Sequence, residues 1–391
     1  MVSKTVLFFG RKLRNTTILN YLSLRENQKL KSADILCHCA SLGEYQSLIP
    51  VLEKIRSNFP IKKIALSFFS PSGYLNVKAK NIYDYKIYCP IDQKSDVDMF
   101  LDQINPSLII ISQNEIWPVF LAEIVKRGIP CIYIDSYFNK TRRNKLWFWL
   151  NQFSLSRVKC FFTQNKEVSY FLKDELRAQT QAIGSIRKEY IDQSLSQKLS
   201  LPLLELFSNS KPLIVFGSVH NSDIFILSKC IDQIIEKYNI LIAPHDINDY
   251  NLRVIKKELK DYSISSYSQG KMEESSICIL DEFGVLKFAY DYAEIVYIGG
   301  GFNKGIHNVL EPAYFLKPII VGPNFSKFQE AKELNQRQVL FEVSNTNDLI
   351  NKIEYIANHR DDIQESYSTY EELHHFPSQV IINFIKTNKL I

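Results

Sequence analysis

At 391 residues the chain is too long for one ordinary hydrophobic core and fits two domains. With 46% hydrophobic and 23% charged residues it is a globular sequence, which excludes disorder. The net charge of +5 is mild, and no basic motif with interleaved aromatics occurs, so no nucleic-acid partner is expected.

The seven cysteines are scattered, with Cys37 and Cys39 the only close pair and no CxxC. That pattern predicts free thiols in a reducing cytosolic compartment, and neither a zinc site nor a disulfide framework. No run approaches the roughly 18 consecutive apolar residues of a membrane helix, and residues 5–10 are too short for the core of a signal peptide. The first 31 residues nevertheless carry Lys4, Arg11, Lys12, Arg14, Arg25, Lys29 and Lys31 against one acid, Glu26. Two readings fit: a segment lying on an anionic membrane surface, at about 1 kcal/mol per well-placed cation, or a solvated basic face.

Residues 35–40 are strand-like, and Ser41-Leu-Gly43-Glu44 then opens a helical pattern to about residue 58. Glu44 thus falls near a helix start behind a strand, where open α/β sheets present groups to a ligand. A dipole-compensating acid is the other reading. A strand over 63–69 leads into the turn-like Ser70-Pro-Ser-Gly73. A strand over 86–89, a helix over 94–103 and a buried strand over 107–112 follow, the last ending in Gln113-Asn-Glu115-Ile-Trp-Pro118. Glu115 repeats the placement of Glu44, and acids at equivalent ends of parallel strands can face one crevice. After a strand over 131–134, basic residues including Arg142 and Arg143 abut Trp147, Trp149, Leu150 and Phe153. Such a patch suits an interfacial membrane contact, or the core face of a helix. A strand over 158–163, a helix, and a strand over 181–184 complete the first half.

The polar stretch after residue 192 marks a boundary, giving an N-terminal domain over 1–192, a linker over 193–211 and a C-terminal domain over 212–391, whose last helices can pack back on the first. Alternation then restarts: a strand over 212–217, Ser218-Val-His220, a helix to about 238, a strand over 240–243, and Pro244-His245-Asp246. A strand over 278–280 and a helix over 282–290 lead to the region 295–323. Glycine is scarce, 13 in the chain, yet Gly299, Gly300 and Gly301 stand together and Gly305 follows. They come directly after an apolar run and lead to Asn308-Val-Leu-Glu311, which has capping-box spacing. Strand, glycine loop and helix start can bind a phosphate or carboxylate; an ordinary βα turn is the alternative. Lys304, His307, Asn308 and Glu311 are more functional groups than a turn needs. A helix over 325–335 and further helices follow. Two successive α/β halves imply two Rossmann-like domains with a cleft between them.

With both halves in view, the chain resembles the bacterial 3-deoxy-D-manno-oct-2-ulosonic acid (Kdo) transferases of lipid A core biosynthesis. The resemblance runs through His38-Cys-Ala-Ser-Leu-Gly-Glu44, Phe69-Ser-Pro-Ser-Gly73, Glu115-Ile-Trp-Pro118, Gly217-Ser-Val-His220, Gly299-Gly-Gly301, His307-Asn308, Leu310-Glu-Pro-Ala313 and Gly322-Pro323. Each motif is weak alone; their order and spacing over some 300 residues is specific. The resemblance implies a GT-B architecture, with the acceptor bound mainly by the first domain and CMP-Kdo by the second. It implies inverting transfer of Kdo to the lipid A precursor, without a metal or cofactor, in lipopolysaccharide biosynthesis. By the same resemblance Glu44 matches the catalytic base and Glu115 a glutamate on the facing loop. Ser218, His220, His245, Gly299, Gly300, Gly301, Lys304, His307, Asn308 and Glu311 fall on the donor side. Ser41, Gly43, Arg142, Arg143 and Trp147 fall on the acceptor and membrane side, and Arg187 is a candidate partner for the Kdo carboxylate.

Three departures from the family pattern matter. Only residues 5–10 resemble the usual hydrophobic N-terminal segment, so peripheral or monotopic attachment to the cytoplasmic face of the bacterial inner membrane is expected. The loop at His245 lacks an arginine common in relatives. Gln113-Asn-Glu115 stands where Glu-Thr-Glu is frequent, leaving Glu115 as the sole acid. The alternatives are another GT-B enzyme acting on a UDP-sugar, as a transferase or 2-epimerase, and a nucleotide-binding relative without catalysis.

Overall fold

The computed structural model describes residues 28–77, 81–137, 142–196, 199–272, 275–368 and 376–391, apart from the side chains of Ser72 and of residues 142–148. Most of the basic N-terminal segment, and the side chains of Arg142, Arg143 and Trp147, therefore lie outside the described residues. The chain divides into two compact units: one holds residues 1–190 with 374–391, the other Ile191–Leu373.

The first unit is built on β1 (Ile35–Cys39), β2 (Ile64–Phe68), β3 (Tyr85–Tyr88), β4 (Leu108–Ser112), β5 (Cys131–Ser136), β6 (Cys160–Thr163) and β7 (Thr180–Ala182). They form one sheet in the order β3-β2-β1-β4-β5-β6-β7, parallel at every pairing. Parallel connections place helices on both faces, which is why the central strands are apolar runs rather than alternating ones. In β1 and β4, Leu36, Ile109 and Ile111 point into one core, while Ile35, Cys37, Leu108 and Ile110 point into the other. The last helix, Pro377–Thr387, fills the second core with Ile381, Ile382 and Ile385, and packs on helix Leu42–Asn58. Its start is fixed by buried Glu189, which accepts from the Ser378 backbone N–H at 2.8 Å and from its hydroxyl.

The second unit repeats the plan with β8 (Leu213–Val219), β9 (Asn239–Pro244), β10 (Ile264–Ser266), β11 (Ile277–Ile279), β12 (Ile295–Ile298), β13 (Ile319–Val321) and β14 (Leu340–Glu342). The order is β10-β11-β9-β8-β12-β13-β14, again all parallel. The first sheet reverses the direction of its strand order between β1 and β4; the second does so between β8 and β12, and again at its edge, where β11 lies between β9 and β10. Ligands in open α/β sheets bind at the carboxyl ends of such paired strands. Both units are Rossmann-like, and the fold is of the GT-B type.

Several elements differ from expectation. The stretch read as a linker holds the end of helix Ile186–Leu195 and a further helix, Pro202–Ser210, whose Leu204 and Phe207 are buried in the core of the second unit. Strands β10, β13 and β14 are three residues each, too short to show a period. The helix expected over 282–290 is only Leu286–Ala289 followed by a 3₁₀ turn. All seven cysteines are buried free thiols.

Candidate active site

At the carboxyl end of β1, Ser41 is the N-cap of helix Leu42–Asn58 in extended conformation, its hydroxyl facing the Glu44 N–H at 3.5 Å. The Glu44 carboxylate folds back: one oxygen accepts from the Ala40 N–H at 2.5 Å and the other from the Ser41 hydroxyl at 3.4 Å. The arrangement resembles a capping box shifted by one residue, so the dipole-compensating role is real. It also fixes the carboxylate at the switch point. The Ser112 hydroxyl at the end of β4 donates to the Glu44 carbonyl at 3.3 Å, tying the two strand ends together. Gly43 faces open space: a Cβ there would meet no atom within 4 Å.

Just beyond β4, Gln113 takes the left-handed conformation (φ 59°), turning the chain so that Glu115 follows. The Trp117 indole N–H donates to the Glu115 carboxylate at 3.1 Å, and the Tyr133 hydroxyl donates to its carbonyl at 2.8 Å. Burial, then the nearby Glu44 carboxylate, and more weakly Glu115, push the Cys39 thiol well above its ordinary value. Both acids thus bear on the same strand end. Behind them, buried His38 shares a 2.8 Å hydrogen bond with the Ser67 hydroxyl and sets its ring edge-on to Trp117 at 6.1 Å. Arg187 belongs to this unit too, on helix Ile186–Leu195.

In the second unit the chain crosses itself closely at the switch point. A Cβ on Gly217 would overlap the Tyr290 hydroxyl, and one on Gly299 would come within 2.6 Å of Val219 Cα. Ser218 is left-handed (φ 53°) where β8 bulges against β9, and His220 then caps helix Asn221–Ser228. Gly300 has φ 91°, which turns the glycine loop and brings the His307 N–H to the Gly299 carbonyl at 3.2 Å.

Three histidines meet there. The Nε2 atoms of His220 and His307 lie 2.8 Å apart, with ring centroids 5.1 Å apart and planes 25° apart. The centroid spacing exceeds the nitrogen spacing by about the reach of the two rings, so the nitrogens lie on the line between them and share one proton. His245, from the end of β9, stacks on His307 at 4.1 Å and 20°, and lies 4.8 Å from His220. Burial, then the neighbouring histidines, lower the His307 imidazole to about 4; burial first also lowers His245. Both rings are therefore neutral near pH 7 in the free protein.

Among the described residues this trio is the group whose spacing suits a metal ion, its ligand atoms all lying within 4.8 Å of one another. A metal must lie in the plane of each imidazole that binds it. His245 and His307 are nearly parallel and face to face, and the His220 and His307 lone pairs point at each other, so chelation needs at least one ring to turn.

Other donor-side candidates are placed less tightly. Asn308 accepts from the Leu310 N–H at 3.1 Å and thereby starts helix Leu310–Tyr314, five residues long. The glycine loop thus feeds a helix too short for a substantial dipole, and Glu311 sits in its first turn instead of closing a capping box on a long one. The longer helix at this switch point starts at His220. Lys304 is exposed at the loop tip, and Glu311 is half-buried near Tyr290, whose hydroxyl pKa burial raises first and Glu311 second.

Sequence reasoning missed Asp223 and Tyr297. Asp223 is 2% exposed and accepts from the His220 N–H at 2.8 Å, the Gly300 N–H at 3.0 Å and the Tyr297 hydroxyl at 2.7 Å. Its signal was an acid three residues past a strand-ending His220, the spacing of a capping box.

On the expected membrane side, helix Arg142–Leu155 leaves Trp149 70%, Leu150 62% and Phe153 68% exposed, which decides against a core role for these three. Among the described residues no helix is long and apolar enough to cross a membrane.

Comparison with known proteins follows the same lines. A family model described as 3-deoxy-D-manno-octulosonic-acid transferase (kdotransferase) matches residues 14–189. A 3-deoxy-D-manno-octulosonic acid transferase of Haemophilus influenzae is 25% identical over 84% of this chain and 80% of its own length. One from Aquifex aeolicus is 26% identical over 84% and 87%. A bifunctional glycosyltransferase/methyltransferase of Fusobacterium nucleatum is 26% identical over 98% of this chain, which spans only 61% of that relative. Among solved structures, a putative UDP-N-acetylglucosamine 2-epimerase of Listeria monocytogenes superposes with TM-score 0.63 at 10% identity, over 91% and 96% of the two chains. A glycosyltransferase of Rickettsia africae gives TM-score 0.58 at 13% identity, over 92% and 98%. The structural likenesses establish the fold; residues 14–189 match the Kdo transferase domain, and named Kdo transferases align with the chain along most of its length at 25–26% identity.

Proposed function

We propose that this protein is an inverting, metal-independent glycosyltransferase that moves Kdo from CMP-Kdo to the lipid A precursor in lipopolysaccharide biosynthesis. The observation that carries the reading is the match of residues 14–189 to the Kdo transferase domain, a span that holds both Glu44 and Glu115. In the proposed reaction an acceptor hydroxyl loses its proton to Glu44 as its oxygen bonds to the anomeric carbon of Kdo. The bond from that carbon to the phosphate oxygen breaks, and CMP departs with the electron pair. A carboxylate held at a strand end suits the base role, and Glu115, braced by Trp117, orients the acceptor.

The leaving group is a good one, so the donor side needs charge stabilisation more than acid catalysis. We assign that task to His220, His245 and His307, with Ser218, Lys304 and the Gly299–Gly301 turn. Asn308 and Glu311 complete the nucleotide side, Glu311 by accepting from ribose hydroxyls. Arg187 is the proposed partner of the Kdo carboxylate, and Ser41 and Gly43 leave room for the acceptor.

We further propose peripheral attachment to the cytoplasmic face of the inner membrane through the basic N-terminal segment and the helix carrying Arg142, Arg143, Trp147, Trp149 and Phe153. The exposed Trp149, Leu150 and Phe153 support this. The test is CMP release from CMP-Kdo in the presence of EDTA. Release that depends on a tetraacylated lipid A precursor is expected, whereas turnover of a UDP-sugar without release of CMP would overturn the reading.

A further inference from the structure

Asp223 is a carboxylate in the interior of the second unit, 2% exposed, with no cation within ion-pair distance among the described residues. Burying such a group unpaired is costly, so its location asks for a reason. One oxygen, Oδ2, accepts both the His220 N–H at 2.8 Å and the Gly300 N–H at 3.0 Å; the other, Oδ1, accepts the Tyr297 hydroxyl at 2.7 Å. These donors come from the two chain crossings at the switch point. His220 follows β8 and opens a helix. Gly300 follows β12 and opens the glycine loop, and Tyr297 anchors the carboxylate from within β12.

We propose that Asp223 is a positioning residue for nucleotide binding: its Oδ2 clamps the β8 turn to the glycine loop and so sets the distance at which His220 and His307 share a proton. The two histidines are 87 positions apart in sequence and stand on separate loops. Asp223 touches both loops, and the two hydrogen bonds at its Oδ2 run to backbone N–H groups, of His220 and of Gly300, whose placement bears on where each ring projects. Without the clamp, Gly300 at φ 91° loses the contact that holds its backbone in one pose, and His220, two residues beyond left-handed Ser218, loses its anchor. The inference deepens the proposed function and rests on its assignment of the histidines to the donor side.

The test uses full-length wild type, Asp223→Ala, Asp223→Asn and Tyr297→Phe, with cytidine 5′-monophosphate as the titrated probe and ¹⁵N spectra of histidine-labelled protein as the second readout. Asp223→Ala, folded at the assay temperature, should bind the nucleotide at least about tenfold more weakly. Its His220 and His307 Nε2 resonances should no longer appear as one protonated and one unprotonated partner. Asp223→Asn keeps an oxygen for both N–H groups, and its NH₂ can donate to a reversed Tyr297 hydroxyl, so it should stay within about threefold of wild type with the pair intact. Tyr297→Phe leaves the clamp but loosens it, and should fall between the two.

A purely structural role would lower the melting temperature of Asp223→Ala while leaving its nucleotide affinity and histidine resonances unchanged, and that result overturns the proposal. An Asp223→Asn protein as weak as Asp223→Ala also overturns it, because charge and not placement would then be the requirement. Should Asp223→Ala not fold, an unchanged Tyr297→Phe decides against the clamp. If wild type binds uridine 5′-diphosphate in place of the cytidine nucleotide, the donor reading fails and the same variants are titrated with that nucleotide. If neither binds, loss of the paired histidine resonances in Asp223→Ala supports the clamp, and their persistence overturns it.

Discussion

Burial holds the His38 imidazole at about 4, against an ordinary value of 6.5, and the Ser67 hydrogen bond recovers only part of that. The folded protein therefore binds fewer protons at His38 than the unfolded chain does between these values. A depressed histidine makes stability rise with pH through that window, and the loss on acidification is complete once pH drops below the folded value. At 1.36 kcal/mol per unit, a displacement from 6.5 to about 4 corresponds to about 3 kcal/mol. The three tryptophans, Trp117, Trp147 and Trp149, all belong to the first unit, so tryptophan fluorescence during urea unfolding reads that unit separately. Unfolding free energies measured from pH 7 to pH 4 should fall more steeply in wild type than in His38→Gln, with the difference approaching about 3 kcal/mol. Carboxylates contribute to both proteins and cancel. Equal slopes would refute the reasoning, since a ring as accessible as the unfolded one would carry no linkage.

The chain crossing at Gly217 should tolerate no side chain: Gly217→Ala should lose about 1–3 kcal/mol by thermal unfolding. Adding Tyr290→Phe should recover part of this, because the next atom, Tyr290 Cζ, stands at 3.0 Å; no recovery would place the strain elsewhere. Glu44→Ala should bind cytidine 5′-monophosphate normally but lose transfer by about 10²–10⁴-fold, and near-normal transfer would remove Glu44 from the mechanism. The double variant Trp149→Ser, Phe153→Ser should partition at least about tenfold less onto anionic liposomes at low salt, given about 1.5–3 kcal/mol per buried apolar side chain. Undiminished binding would leave attachment to other parts of the chain.

Long apolar strands were legible in the sequence because both faces of a parallel sheet are buried. Residues 35–40 read as a strand and β1 occupies Ile35–Cys39; residues 295–298 read as a strand and β12 occupies Ile295–Ile298. What escaped were β10, β13 and β14, whose three residues carry no period, and helix Pro202–Ser210, whose polar face resembles a linker while Leu204 and Phe207 dock inward. Helix length after the glycines was also illegible. Asn308 and Glu311 have the right spacing for a long helix, but the chain stops at Tyr314, with Leu316 left-handed just beyond.

At the candidate site, His220 and His245 could be singled out from their place after an apolar run, and His307 from the polar cluster that follows the glycines. Nothing local stated that the three rings would meet, since that depends on the order of β9, β8 and β12 in the sheet. Asp223 lay hidden for the same reason: two of its donors, Gly300 and Tyr297, are more than 70 positions away.

The most direct test of the central claim is mass spectrometry of the lipid formed when the protein, CMP-Kdo and a tetraacylated lipid A precursor are combined. The account predicts an acceptor heavier by one or more Kdo units, formed by wild type and lost with Glu44→Ala. An unmodified acceptor with active wild-type donor binding, or modification that persists in Glu44→Ala, would contradict it.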